Sequence, residues 1–83
     1  VLFSDFTGSN MRGADFRHVQ FHDMTLIEVN FEFSYFDDVI FHHSDLTGAN
    51  LTGVSLIDVT WHDTICPDGT NSDNNGNTCE NNL

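Results

Sequence analysis

A large apolar residue recurs at every fifth position of this chain: Phe6, Met11, Phe16, Phe21, Leu26, Phe31, Phe36, Phe41, Leu46, Leu51, Leu56 and Trp61, without a break. Two residues before each stands a smaller one: Ser4, Ser9, Ala14, Val19, Met24, Val29, Ser34, Val39, Ser44, Ala49, Val54 and Val59, among which only Met24 is bulky. A step of five matches neither a helix, at about 3.6 residues per turn, nor a strand, at about 2, so neither can keep one face inward over so long a run. A chain that turns a corner once in each pentapeptide can. Each side is then a short extended piece with a small and a large residue facing inward. The outward and corner positions carry Asp5, Asn10, Asp15, Asn30, Asp45 and Asn50 together with Thr7-Gly8, Arg12-Gly13, Thr47-Gly48 and Thr52-Gly53. Asn, Asp and Gly suit corners because they tolerate unusual φ/ψ.

If four sides close one turn, residues twenty apart should stack in columns. Val19, Val39 and Val59 form one such inward set, Phe21, Phe41 and Trp61 the aromatic set beside it, and His22, His42 and His62 an outward set. The run from Asp5 to Gly13 also realigns with the run from Asp45 to Gly53, forty residues on. The expectation is an all-β coil of about three turns, roughly 15 Å tall at the usual strand spacing of about 4.8 Å. Ala14-Asp15-Phe16 and Ala49-Asn50-Leu51 follow the motif Ala-Asp/Asn-Leu-X-X. Over residues 1 to about 63 the chain therefore resembles the pentapeptide-repeat family. That resemblance implies a right-handed quadrilateral β-helix; the spacing by itself indicates only four sides.

Past Trp61 the apolar rhythm stops, and the stretch from Cys66 to Cys79 consists almost wholly of turn formers. The two cysteines enclose twelve residues and could form a disulfide worth about 3 kcal/mol in the chain-entropy account. An open solenoid end leaves backbone groups and core side chains uncovered. Residues 64–83 therefore read as a cap on a repeat domain of residues 1–63. The Cys-Pro-Asp-Gly-Thr…Thr-Cys stretch resembles the tail of a subset of pentapeptide-repeat proteins common in photosynthetic bacteria. It favours periplasm, thylakoid lumen or secretion over the cytoplasm, because disulfides persist where conditions are oxidising. Val1 already sits in register with the repeat, so further sequence or a partner is expected at the N-terminal edge.

Thirteen Asp and Glu face only Arg12 and Arg17, with no lysine, for a formal charge of −11. Direct binding to nucleic-acid phosphates or an anionic membrane surface is disfavoured electrostatically, and no apolar run approaches the roughly 18 residues of a membrane span. Eight phenylalanines at fixed spacing argue against disorder.

The candidate sites are few. Asn71, Asp73, Asn75 and Gly76 alternate like a calcium loop, but the twelfth position is Asn82 rather than Glu and no helices flank it. Cys66 and Cys79 lack the short Cys-x-x-Cys pairing of a zinc site. His22, His42 and His62, with His43, Asp23 and Asp63 beside them, could share a transition metal or could be polar residues at tolerant outward positions. His43, Ser44 and Asp45 are neighbours in sequence, whereas a triad needs side chains that converge. No catalytic, cofactor or metal residue is assigned, and the chain is not read as an enzyme. Ile27, Phe33, Tyr35, Ile40 and Ile57 fall at outward or corner positions; exposed apolar residues that cluster mark contact surfaces, here for a protein partner or self-association. The functional expectation is a non-enzymatic structural or protein-interaction module. Two alternatives stand beside it. One is an acidic DNA mimic that binds a topoisomerase such as DNA gyrase, a role the family resemblance brings with it. The other is an extracytoplasmic divalent-ion binder.

Overall fold

The computed structural model describes residues 4–80 and Leu83. Val1 and Asn82, used in the sequence reading, lie outside the described residues. Within them, six short strands are β1 (Asp15–Arg17), β2 (Gln20–His22), β3 (Tyr35–Asp37), β4 (Ile40–His42), β5 (Ser55–Ile57) and β6 (Thr60–His62). They form two parallel sheets, ordered β1-β3-β5 and β2-β4-β6. The register sets Phe16 beside Phe36 beside Leu56, and Phe21 beside Phe41 beside Trp61. Single parallel bridges make two further columns, Asp5–Thr25–Asp45–Ile65 and Asn10–Asn30–Asn50. Every one of these parallel pairings joins residues twenty apart.

The corners explain why the chain turns so often. The residue two places after each large apolar residue, from Gly8 to Asp63, has a φ between +44° and +73°. Gly takes that left-handed conformation without steric cost, and Asp and His take it more readily than bulky side chains do. Phe33, at φ +59°, is the aromatic exception. Several of the corners carry an additional brace. Asp5 Oδ1 accepts from the Thr7 amide at 3.0 Å and the Thr7 hydroxyl at 2.6 Å, and Asp45 with Thr47 and Asp68 with Thr70 repeat the arrangement. Asn10, Asn30 and Asn50 accept in the same way from the amides of Arg12, Glu32 and Thr52. The recurring outward Asp and Asn are thus corner makers.

The inward residues of all four columns meet in one core. Phe21, Leu26, Phe31, Phe36, Phe41, Leu46, Leu51 and Trp61 are buried, and Phe6, Met11, Phe16 and Leu56 pack against them half-buried. Rings stack along each column, Phe16 on Phe36 at 5.1 Å, Phe21 on Phe41 at 5.2 Å and Phe41 on Trp61 at 4.7 Å. Between columns they meet edge-on, Phe36 to Phe41 at 5.9 Å. Such pairs contribute about 0.5–1.5 kcal/mol beyond the area they bury. Serine is tolerated at the small inward positions where its hydroxyl ties neighbouring levels: buried Ser34 Oγ donates to the Met11 carbonyl at 2.8 Å and accepts from the Ala14 amide at 3.2 Å. Trp61 Nε1 is buried and has no hydrogen-bond partner among the described residues.

The five-residue step continues beyond Trp61. Thr64 and Cys66, both fully buried, take the next small and large inward positions. The Leu46 and Gly48 amides donate to the carbonyls of Ile65 and Pro67 at 2.8 and 2.9 Å. The chain then folds back: Ile65 bridges Asn71 antiparallel, the Ser72 amide donates to the Thr64 carbonyl at 2.7 Å, and a 3₁₀ turn, Ser72–Asn74, packs against β6. A disulfide joins Cys66 to Cys79, and both half-cystines are buried in the core.

Candidate functional site

Because the interior is filled by packed side chains and the described residues enclose no pocket, chemistry or recognition has to be sought on the outer surface. Four places on it carry residues with functional potential.

The histidines lie on the outer side of β2, β4 and β6. The His42 ring sits 5.2 Å from that of His22 and 4.9 Å from that of His62, nearly parallel to the latter, with His43 edge-on at 4.1 Å. Among the described residues no three His, Cys, Asp or Glu side chains converge as metal ligands would. His22 Nε2 meets Gln20 Oε1 at 3.0 Å, and His43 Nδ1 pairs with Asp63. Desolvation, and then the neighbouring His43, His62 and His22, push the His42 pKa below the ordinary imidazole value.

Ser44 does not join His43. It is buried and donates to the carbonyls of Phe21 and His42 at 3.3 and 3.4 Å, while His43 is exposed on the corner. Ser44 thus faces the core while His43, at a corner with φ +52°, faces outward.

The C-terminal loop uses its oxygens internally. Asn71 Oδ1 accepts from the Asp73 amide at 2.9 Å, its Nδ2 donates to Asp63 Oδ1 at 2.8 Å, and Asp73 Oδ1 accepts from the Asp63 amide at 2.9 Å. Asn75 Nδ2 donates to Thr70 Oγ1 at 2.7 Å. The Asn71 bond is the first cause of an Asp63 pKa below the ordinary carboxyl value, with the imidazole of His43 adding to it. These groups fasten the loop to the last strand rather than surrounding an ion.

The fourth place is an edge where apolar and cationic side chains meet. Phe33 is 55% exposed and Ile57 43% exposed, whereas Ile27, Tyr35 and Ile40 are half-buried. Both arginines sit here, Arg12 with its guanidinium 5.1 Å from the Phe33 ring centroid and Arg17 with its own 5.3 Å from that of Tyr35. The sequence marks Phe33 and Ile57 as outward, but not that each arginine lies over an aromatic ring. That arrangement depends on contacts between residues about twenty apart.

No helix among the described residues is long and apolar enough to cross a membrane. A family model for pentapeptide repeats matches residues 3–32 and 14–53, in eight copies. No curated protein and no solved structure matches the chain.

Proposed function

We propose that this chain, which belongs to the pentapeptide-repeat family, is a non-enzymatic module that engages a protein partner through a rigid outer surface. The surface is carried by a right-handed four-sided β-helix of about three turns, its handedness taken from the family. Residues 64–83, of the tail type found in photosynthetic bacteria, close its C-terminal end through the Cys66–Cys79 bond. The disulfide favours an oxidising working environment, periplasm, thylakoid lumen or the exterior, over the cytoplasm.

One observation carries this reading. Apart from the outward histidines, the side chains considered for chemistry are committed to structure, Ser44 inside the core, Asp5, Asp45 and Asp68 at corners, and Asn71 and Asp73 in the loop. What remains outward is a fixed pattern of charge and rings. The other roles find less support. The described residues extend 29 Å at most, short of the roughly 34–36 Å of one duplex turn, and the loop oxygens Asn71 Oδ1 and Asp73 Oδ1 already accept from the amides of Asp73 and Asp63.

Affinity capture with the disulfide-intact protein, followed by reconstitution with the purified captured protein, is expected to give a complex of fixed stoichiometry. Failure to retain any protein, together with a catalytic turnover abolished by one outward substitution, would overturn the proposal.

A further inference from the structure

Phe33 occupies a column whose other members are Gly13 and Gly53, yet it holds the same left-handed backbone at φ +59°. That conformation, common to all the corners, is disfavoured for a bulky side chain. Its ring lies against Gly53, where an added Cβ would meet it at 2.5 Å, and the Arg12 guanidinium lies over it. An exposed ring held in this way loses little freedom on binding, which favours affinity.

Tyr35, two residues on, faces outward from β3 because Phe36 beside it is buried in the core. Ile57 faces outward from β5, opposite Asp37 and so diagonal to Tyr35; diagonal neighbours in a sheet are about 7–8 Å apart, within reach of an aromatic side chain. The three make one apolar strip along an edge, with Arg12 and Arg17 on its β1 side. Aromatic residues and arginine are the types that carry interface energy.

Charge selects the occupant. Arg17 Nε is 3.1 Å from Asp15, and Arg12 Nε is 4.0 Å from Glu32, so both cations are locally matched. Asp37, Asp38 and Asp58 complete an acidic border, leaving carboxylates in excess even where the chain concentrates its cations. With −11 overall, a second copy is repelled and a cation is drawn in.

We infer that the Phe33–Tyr35–Ile57 edge docks a cationic segment of another protein, one with an aliphatic side chain between its positive charges. This deepens the module reading and rests on it. The test is a backbone-amide NMR titration with a short peptide of alternating lysine and leucine, beside its glutamate–leucine counterpart. The lysine peptide is expected to shift resonances concentrated at Phe33, Tyr35 and Ile57, more weakly as salt is raised, and the glutamate peptide to shift none. Phe33→Gly places at this corner the residue already present at 13 and 53, so the variant keeps its fold, checked by an unchanged or higher Tm. Phe33→Gly and Ile57→Ser are each expected to weaken the lysine peptide by about tenfold. Shifts spread evenly over the acidic surface, unchanged affinity in both variants, or no binding of the lysine peptide would each overturn the edge. None of these results removes the module itself, which is judged separately by capture and reconstitution.

Discussion

Phe41→Ala removes a ring that is fully buried, stacked 5.2 Å from Phe21 and 4.7 Å from Trp61, and edge-on to Phe36 at 5.9 Å. Truncating a buried phenylalanine costs about 3–5 kcal/mol, and three ring pairs of about 0.5–1.5 kcal/mol each place this site toward the upper end. At about 0.05–0.15 kcal/mol per residue, a chain of 83 residues is stable by about 4–12 kcal/mol. The variant is therefore expected to lose at least a third of its stability and to be substantially unfolded if the total is near the lower bound. Phe16→Ala, where the ring is half-buried, should cost about 2 kcal/mol, since less area returns to water. Urea unfolding followed by circular dichroism and by the fluorescence of Trp61, the single tryptophan, measures both. Trp61 lies directly on Phe41, so its emission reports the site itself. A loss below about 1 kcal/mol for Phe41→Ala, or a larger loss at Phe16 than at Phe41, would refute the stacked core that underlies the magnitude.

Gly53→Ala should cost more than Gly13→Ala: both have positive φ, but an added Cβ meets the Phe33 ring only at position 53. In a Phe33→Gly background the difference should vanish, as read by a thermal-unfolding double-mutant cycle. Reducing Cys66–Cys79, thirteen residues apart, should remove about 3 kcal/mol and lower Tm by more than about 10 °C at roughly 4–8 °C per kcal/mol, measured calorimetrically with and without reductant. The folded His42 pKa lies below its ordinary 6.5, so as pH falls through that value the unfolded state takes the proton first and stability declines. His42→Gln should flatten the dependence of Tm between neutral and mildly acid pH. Asp5 and Asp63 have folded pKa values below 3.8, so the stability they contribute is present above that pH and is lost in a separate, more acid limb. Ser34→Ala leaves the Met11 carbonyl and Ala14 amide without the bonds they make to Ser34 Oγ and should cost about 1–3 kcal/mol by chemical denaturation.

The all-β class and the recurring pentapeptide are legible in the sequence because one physical constraint acts at every step: each small–large pair must face inward, and the corner between pairs must be tight. The offset of twenty is legible for the same reason, since Phe21, Phe41 and Trp61 can stack only if their backbones are in register. Other features are set by contacts that spacing does not encode. Cys66 stands five residues beyond Trp61, with Thr64 two before it, so its inward place has a signal in the pattern; a turn-rich surrounding hides it. The pairing of His43 with Asp63, beside its edge-on contact with His42, depends on which way each corner side chain leaves the backbone. The arginines over Phe33 and Tyr35 depend on rotamers chosen across neighbouring levels. In the loop, the metal-like alternation of Asn71, Asp73 and Asn75 serves local hydrogen bonding, Asn71 capping its own turn, Asp73 accepting from the Asp63 amide and Asn75 donating to Thr70, and that use leaves the same sequence pattern as ion binding would.

The outer edge can be preorganised only if successive levels are locked at an offset of twenty residues on every side. Nuclear Overhauser contacts between backbone protons of the disulfide-intact protein test that directly. The account predicts contacts linking Asp5 with Thr25, Asn10 with Asn30, Phe16 with Phe36 and Phe21 with Phe41, and their counterparts one level on. Contacts that join the columns of residues 5–65 at an offset other than twenty, or that are confined to the β1-β3-β5 and β2-β4-β6 sheets with none across the Asp5 and Asn10 columns, would contradict it.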